Sequence, residues 1–348
     1  MSFDKYVDQS KLSKNKLHWY QFTIRLLLIS SFIASILASC IAVRINRASV
    51  QKDCAEALLK LDGTVLCYDY DYNYEEGRIK KGDNLSTPHK YICDIFGKDH
   101  FADIVYVYLS SNANNDSMRI TGYLANLKDL RICSSKITCN GLIHIKRMNK
   151  LNRLCIRDIC ITDNDLQCLK DLINLQYLVL SNINIDDEAL KYLNDLMNLK
   201  QIEINNCNIS GEGLKYLEKL PYLEQLGLGW TKINNNSMEY IIKLIRLKKL
   251  FIGGNNIDDN GIININKLNM LEELFLEETN ITDNGLIYIV KNPNLTSLGL
   301  GKTKITDHGL EYIKSLKLLK WLDLRETKTT EIGIKKLKCS IKNIKILK

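Results

Sequence analysis

Apolar side chains return to the same places every 24 residues over most of this chain. Leu127, Leu151, Leu175, Leu199, Leu223, Leu247, Leu271, Leu295 and Leu319 set the period. Three residues after each stands another apolar residue, Leu130, Leu154, Leu178, Ile202, Leu226, Leu250, Leu274, Leu298 and Leu322. Two residues later come Ile132, Ile156, Leu180, Ile204, Leu228, Ile252, Leu276, Leu300 and Leu324. Apolar, polar, apolar is the alternation of a short strand with one buried face. Five residues further, Ile137, Ile161, Ile185, Ile209, Ile233, Ile257, Ile281 and Ile305 form a column that only Thr329 breaks, and these turn the chain inward after the strand. The next residue always carries a short polar side chain with an oxygen, from Thr138, Thr162, Asp186, Ser210 and Asn234 to Asp258, Thr282, Thr306 and Thr330. Such an oxygen accepts from the free N–H groups of a first helical turn. Apolar residues then recur at helical spacing, as in Leu310, Ile313 and Leu316. A fixed period of this length marks a solenoid whose units bury their apolar faces only by stacking.

Strand, turn, helix and return within 24 residues resembles the leucine-rich repeat, in the variant with the core Leu-x-x-Leu-x-Leu-x-x-Thr-x-Ile-Thr-Asp-x-Gly-Leu; residues 271 to 286 and 295 to 310 match it most closely. The resemblance covers about two-thirds of the chain. It implies an α/β solenoid, a horseshoe with a parallel concave sheet and convex helices. Where the commonest repeats carry an Asn ladder, this chain has Ser135, Ile159, Ile183, Cys207, Thr231, Asn255, Thr279, Thr303 and Thr327, closer to the cysteine-containing and bacterial Thr-type variants.

The amino end has a different pattern. Leu26 to Val43 is an uncharged run of 18 residues, which as a helix spans about 27 Å, close to the thickness of a hydrocarbon core. Phe22 to Ile24 extend it past Arg25. Lys11, Lys14, Lys16 and Arg25 precede it and Arg44, Arg47 and Lys52 follow, as around a single transmembrane helix. A cleaved signal peptide is the rival, with an unusually long 25-residue leader and no small-x-small site before polar sequence. Leu37-Ala38-Ser39-Cys40 resembles a lipoprotein processing box, but Ile41, Ala42 and Val43 continue the apolar run beyond it. The nearly balanced flanks favour, by a narrow margin, an amino end in the cytoplasm and repeats outside.

The expected order is a basic tail over 1–21, an anchor over 22–43, a juxtamembrane and capping segment over 44–103, and the repeats over 104–348. Within the third, helical spacing runs from Arg47 to Leu61 and stops at Gly63. Thr64 to Tyr74 reads as one strand with Tyr68, Tyr70, Tyr72 and Tyr74 on one face. A first repeat exposes an apolar end, so this segment is expected to cover it. Together, the short anchor, "LLKLDGTVLCYDY", "FGKDHFADIVYVYL" and the Thr-type repeats look like membrane-anchored leucine-rich repeat proteins of planctomycete-type bacteria.

Net charge is +8, but residues 1–50 carry +5 and residues 328–348 carry +6, leaving 8 − 11 = −3 for the body, so no nucleic-acid partner is expected. Eleven cysteines include no Cys-x-x-Cys. Cys54, Cys67 and Cys93 are the place for a disulfide in an oxidising compartment. Asp69-x-Asp71-x-Asn73 starts like a calcium loop and fails at Tyr74 and Lys80. Gly301-Lys302-Thr303 ends like a phosphate loop whose first Gly is Thr296. The histidines, at 18, 89, 100, 144 and 308, support no triad or metal pair, so neither enzyme activity, nor metal, nor cofactor, nor small-molecule substrate is expected.

Side chains flanking the two buried strand residues must point outward. One outward column reads Arg131, Cys155, Val179, Glu203, Gly227, Phe251, Phe275, Gly299 and Asp323, and the next Cys133, Arg157, Ser181, Asn205, Gly229, Gly253, Glu277, Gly301 and Arg325. Phe251 and Phe275, edged by Gly227, Gly229, Gly253 and Gly299 and near Trp230 and Trp321, are the candidate contact for a protein or peptide. The expected function is a membrane-anchored scaffold for protein–protein interaction. The alternative is a substrate receptor of a ubiquitin ligase, which uses similar cysteine-bearing repeats and would require an F-box-like module.

Overall fold

A computed structural model describes residues 9–68, 72–73, 78–79 and 103–348. The chain divides into two compact units, Met1–Asp53 with Ser86–Ala102, and Cys54–Leu85 with Asp103–Lys348. Helix α1, Gln9–Leu59, makes up the described part of the first unit and its last residues belong to the second. Its stretch Arg25–Leu59 is long and apolar enough to cross a membrane. Leu27, Leu28, Phe32 and Leu37 point outward with more than half of their surface exposed. The hydroxyls of Ser30, Ser31 and Ser39 each donate to a carbonyl of the preceding turn at 2.9 Å, so the helix satisfies its own polar side chains, as a hydrocarbon environment requires.

The second unit is a sheet of twelve strands. Strand β1, Val65–Tyr68, runs antiparallel to β4, Ile104–Leu109. From β4 onward all neighbours are parallel: β5 Asp129–Cys133, β6 Arg153–Arg157, β7 Tyr177–Ser181, β8 Gln201–Asn205, β9 Gln225–Gly227, β10 Lys249–Phe251, β11 Glu273–Phe275, β12 Ser297–Gly299, β13 Trp321–Asp323 and β14 Lys345–Leu347. From β5 on, each residue pairs with the residue 24 further on, so that Leu226, Leu250, Leu274 and Leu298 lie side by side with no exposed surface. The end of α1 covers the first repeat: Cys54, Ala55 and Leu58 are buried, and the Cys54 thiol donates to the Ile120 carbonyl at 3.6 Å. Cys54 and Cys67 are both buried; Cys93, the third cysteine of the expected disulfide set, lies outside the described residues.

The single strand expected over 64–74 is corrected. β1 ends at Tyr68 after a register shift between Cys67 and Tyr68, and β2, Tyr72–Asn73, pairs instead with β3, Arg78–Ile79, in a separate two-stranded sheet. Tyr70 and Tyr74 lie outside the described residues. The shift breaks the ladder, and an alternating pattern along one strand carries no trace of the partner's irregularity.

Two devices close each repeat. After each of β5 to β13 one residue adopts the left-handed region: Ser134, Asp158, Asn182, Asn206, Trp230, Gly254, Glu278, Lys302 and Glu326, again 24 apart. The return then starts with a cap that is shared between repeats. The Thr282 N–H and hydroxyl donate to Asp259 at 2.9 and 2.6 Å, those of Thr306 to Asp283 at the same distances, and those of Thr330 to Asp307 at 2.7 and 2.6 Å. Each of these carboxylates also lies where a Cβ would project from Gly285, Gly309 and Gly333 of the following repeat. Thr-Asp-x-Gly is therefore an inter-repeat joint: the Asp of one unit holds the Thr of the next and needs its Gly to be bare. Thr282, Thr306 and Thr330 also cap their own helices, Asp283–Ile289, Asp307–Ile313 and Glu331–Ser340. In earlier repeats the return is a 3-10 helix, at Asp163–Asp171, Asp187–Leu193 and Glu212–Leu217.

The column that carries Asn in other repeats behaves differently here. Thr279, Thr303 and Thr327 donate only to the carbonyl three residues back, at 2.6 to 2.7 Å. Asn255 alone of these spans two units, donating to Leu228 and Ile252 carbonyls at 2.7 and 2.9 Å and accepting from the Thr231 N–H at 3.1 Å. After β11, β12 and β13 the Asp–Thr–Gly set, whose Thr stands three residues beyond this column, thus supplies side-chain hydrogen bonds between units that the column does not.

Candidate functional site

The outward sheet face carries an open groove of about 960 Å³. Its centre is formed by strands β8 to β13, whose register sets Glu203, Gly227, Phe251, Phe275, Gly299 and Asp323 in one row. In-register parallel pairing forces the two phenyl rings together. Their centroids are 4.7 Å apart and their planes 13° from parallel, an aromatic contact that adds to plain burial. Trp321 starts β13 two residues earlier than that row, and its ring leans on Phe275 at 5.5 Å and 42°. Trp230 is the left-handed turn residue after β9, with φ of 51°, and is 56% exposed. A Cβ on Gly254, whose φ is +70°, would collide with the Trp230 indole. Trp230 therefore sits at the rim of the groove and lies over Gly254, apart from the ring stack.

The glycines have specific tenants. Over Gly227 leans Glu203, whose Cγ would be 3.0 Å from a Cβ there. Over Gly299 lies the Glu277 carboxylate, which a Cβ would strike, as it would Phe275 Cδ1 at 2.7 Å. A Cβ on Gly253 would stand 2.9 Å from the Glu277 carbonyl, so its bareness serves close approach of the next strand. The Gly229 N–H donates to Asn205 Oδ1 at 2.9 Å. The spaces beside the rings are thus held by glutamate side chains.

Electrostatics separate these acids. Glu278 pairs with Lys302 at 2.7 Å, which holds its carboxyl below the usual value with help from a Trp230 hydrogen bond. Burial pushes the Asp323 carboxyl up, but hydrogen bonds from the Arg325 side chain and amide, and its charge, outweigh that and lower it. Glu277 goes the other way: burial and the charge of Asp323 raise it above the ordinary value, against its own backbone amide and Arg325. Glu203 accepts from Gln201 and Gln225 side chains at 2.6 and 2.9 Å.

A second hollow of about 470 Å³ lies over β4 to β8 and has the opposite charge. Arg131 pairs with Asp129 at 3.1 Å, Arg153 stacks on Tyr177 at 3.5 Å, and Arg157 lines the same space. There the Cys133 thiol is lowered to about 7 by a hydrogen bond from Cys155, by the Arg157 charge and by Tyr108, against burial. Cys155, the donor, is raised correspondingly. Sequence reasoning did not assign a role to Glu203 or Glu277, and it read Cys133 and Cys155, on strand positions, as small packing residues. It also omitted the third outward column, which holds Arg153, Tyr177 and Trp321 and which the same alternation, read two residues earlier, would have included. Among the described residues no group of three or more His, Cys, Asp or Glu side chains is placed to hold a metal ion.

The leucine-rich repeat family model matches residues 195–217 and 291–314. The repeats are leucine-rich repeats. Solved structures similar to the chain include an internalin of Listeria monocytogenes, inlF, with 17% identity, covering 74% of this chain and 93% of that one at a TM-score of 0.48. A second, internalin C2 of the same organism, has 22% identity over 58% and 81%, with a TM-score of 0.47. A third is the leucine-rich repeat ectodomain of the Arabidopsis thaliana membrane receptor kinase GASSHO1/SCHENGEN3 in complex with CASPARIAN STRIP INTEGRITY FACTOR 2, at 18% identity over 69% and 28%, with a TM-score of 0.45. No curated protein matches the sequence.

Proposed function

We propose that this leucine-rich repeat protein is a membrane-anchored binding scaffold that holds a protein or peptide on the sheet face around Phe251, Phe275 and Trp321, with Trp230 at the rim. The observation that carries the reading is the stacked Phe pair set in an open groove on the outward face, where it contributes nothing to the buried Leu and Ile ladders. Aromatic anchors in a concave site are where binding energy concentrates. In this reading residues 22–43 cross the membrane once, the repeats face away from the cytoplasm, and the chain binds without catalysing a reaction.

The test is photo-crosslinking from Lys249 and Glu273 positions of the full chain in intact cells, compared with Phe251→Ala plus Phe275→Ala. The double variant should fold, since both rings lie outside the ladders, and should capture its partner at least tenfold less, or about 1.4 kcal/mol. Equal capture by a folded double variant would refute the site. Release of the chain from membranes by carbonate without detergent would refute the anchor.

A further inference from the structure

The groove has more negative charge than its own cations neutralise. Five carboxylates line it, on Glu203, Glu277, Glu278, Asp323 and Glu326, against the two cations of Lys302 and Arg325. Both cations are engaged, Lys302 with Glu278 and Arg325 with Asp323. Glu203 and Glu277 have no ion pair among the described residues. They are also the two that bracket the ring stack: Glu203 leans over Gly227 next to Phe251, and Glu277 lies over Gly299 next to Phe275. At Gly299 a Cβ would strike the carboxylate itself, and at Gly227 it would press on Glu203 Cγ at 3.0 Å.

Of the stacked rings, Phe251 pairs in register with Gly227, where Glu203 leans in, while Phe275 also meets the Trp321 ring at 5.5 Å beside the Glu277 carboxylate. An aromatic face beside an unpaired carboxylate is a site for a cation. The face attracts it through the ring quadrupole, and the carboxylate neutralises it. A guanidinium suits this pairing better than an ammonium, because it is planar, weakly hydrated and able to stack while donating in its own plane. The second hollow, lined by Arg131, Arg153 and Arg157, has the opposite sign and would repel the same group.

Resting on the reading of the groove as a peptide or protein site, we propose that its partner presents a basic side chain, arginine above lysine, which stacks at the Phe251–Phe275 pair and pairs with Glu277 or Glu203. Burial without a counterion also raises the Glu277 carboxyl, with Asp323 adding to the effect and Arg325 opposing it. An arriving cation relieves that burden, so binding should weaken as pH falls and Glu277 takes up a proton.

The test uses the full chain in detergent micelles and fluorescence anisotropy of labelled heptapeptide pools, random except for a central Arg, Lys, citrulline or Glu. Citrulline keeps the shape of arginine and lacks the charge. The Arg pool should bind at least tenfold more tightly than the citrulline pool, with Lys between them and Glu weakest. Glu203→Gln with Glu277→Gln should bring Arg and citrulline within threefold, leaving the citrulline pool unchanged. If Arg and citrulline pools bind alike while Phe251→Ala with Phe275→Ala abolishes both, the inference is overturned and the groove stands as a binding site. If no pool binds, or binding ignores the Phe pair, that reading falls and the inference with it. Competition by free agmatine, a guanidinium with no peptide, at the same affinity as the Arg pool would overturn the assignment of the cation to a peptide.

Discussion

The joint between repeats can be tested as a pair, Asp283 with Gly309. Asp283→Ala removes the acceptor of the Thr306 N–H and hydroxyl bonds, 2.9 and 2.6 Å long. Hydrogen bonds to a charged group contribute about 1.5 to 3 kcal/mol when buried, and less where water replaces the partner. Asp283 is partly buried, so the two together should be worth about 2 kcal/mol. Gly309→Ala leaves the carboxylate present but sets a Cβ against it, 2.8 Å from Leu286 Cδ1 as well. Eviction loses the same two bonds and adds strain, partly offset by the better helix propensity of Ala, so the cost should again be about 2 kcal/mol. In the double variant the new methyl enters the space that the carboxylate has left. The double should therefore cost about as much as Asp283→Ala alone, a coupling of about 2 kcal/mol between residues 26 apart in sequence. Urea melts of the four proteins measure it. Additive costs would refute the joint, and a neutral Gly309→Ala would show that the bare position is unnecessary.

Leu250→Ala, in a ladder with no exposed surface, should cost about 2 to 5 kcal/mol in the same melts, while Lys342→Ala should be close to neutral; equal effects would contradict the ladder. Glu277→Gln should raise the melting temperature at neutral pH. The raised carboxyl favours the protonated form in the folded state, so its ionisation destabilises the native chain above that value. The variant's advantage should shrink as pH falls toward the ordinary glutamate value, and a variant less stable at pH 7 would overturn this assignment. Cys133 should alkylate with a pH midpoint below that of an ordinary thiol, and Cys155→Ala should move the midpoint upward; an unmoved midpoint would show that the thiol pair does not interact.

The repeat architecture was legible because its chemistry is one-dimensional. Parallel strands paired in register bring residues i and i+24 side by side, so a column in the sequence is a row in the sheet, and Leu226, Leu250 and Leu274 or Phe251 and Phe275 could be placed as neighbours from spacing alone. The oxygen after the Ile was legible as a helix start for the same local reason at Asp186, Asn234, Thr282 and Thr306, whereas after Ser210 the cap is Gly211 and after Asp258 a turn precedes the helix Ile265–Lys267. Contacts that run diagonally or across a turn were not. Asp283 meets Thr306 and Gly309 only when two returns stack at one particular offset. Cys133 and Cys155 meet on a diagonal between β5 and β6. The occupation of Gly227 and Gly299 by Glu203 and Glu277 depends on rotamers that packing selects, and strand β1 ends where an antiparallel partner slips its register. The periodic pattern determines which residues are neighbours along a row. Which side chain fills the space between rows depends on twist, stacking offset and side-chain torsion, and these exist only once the repeats are assembled.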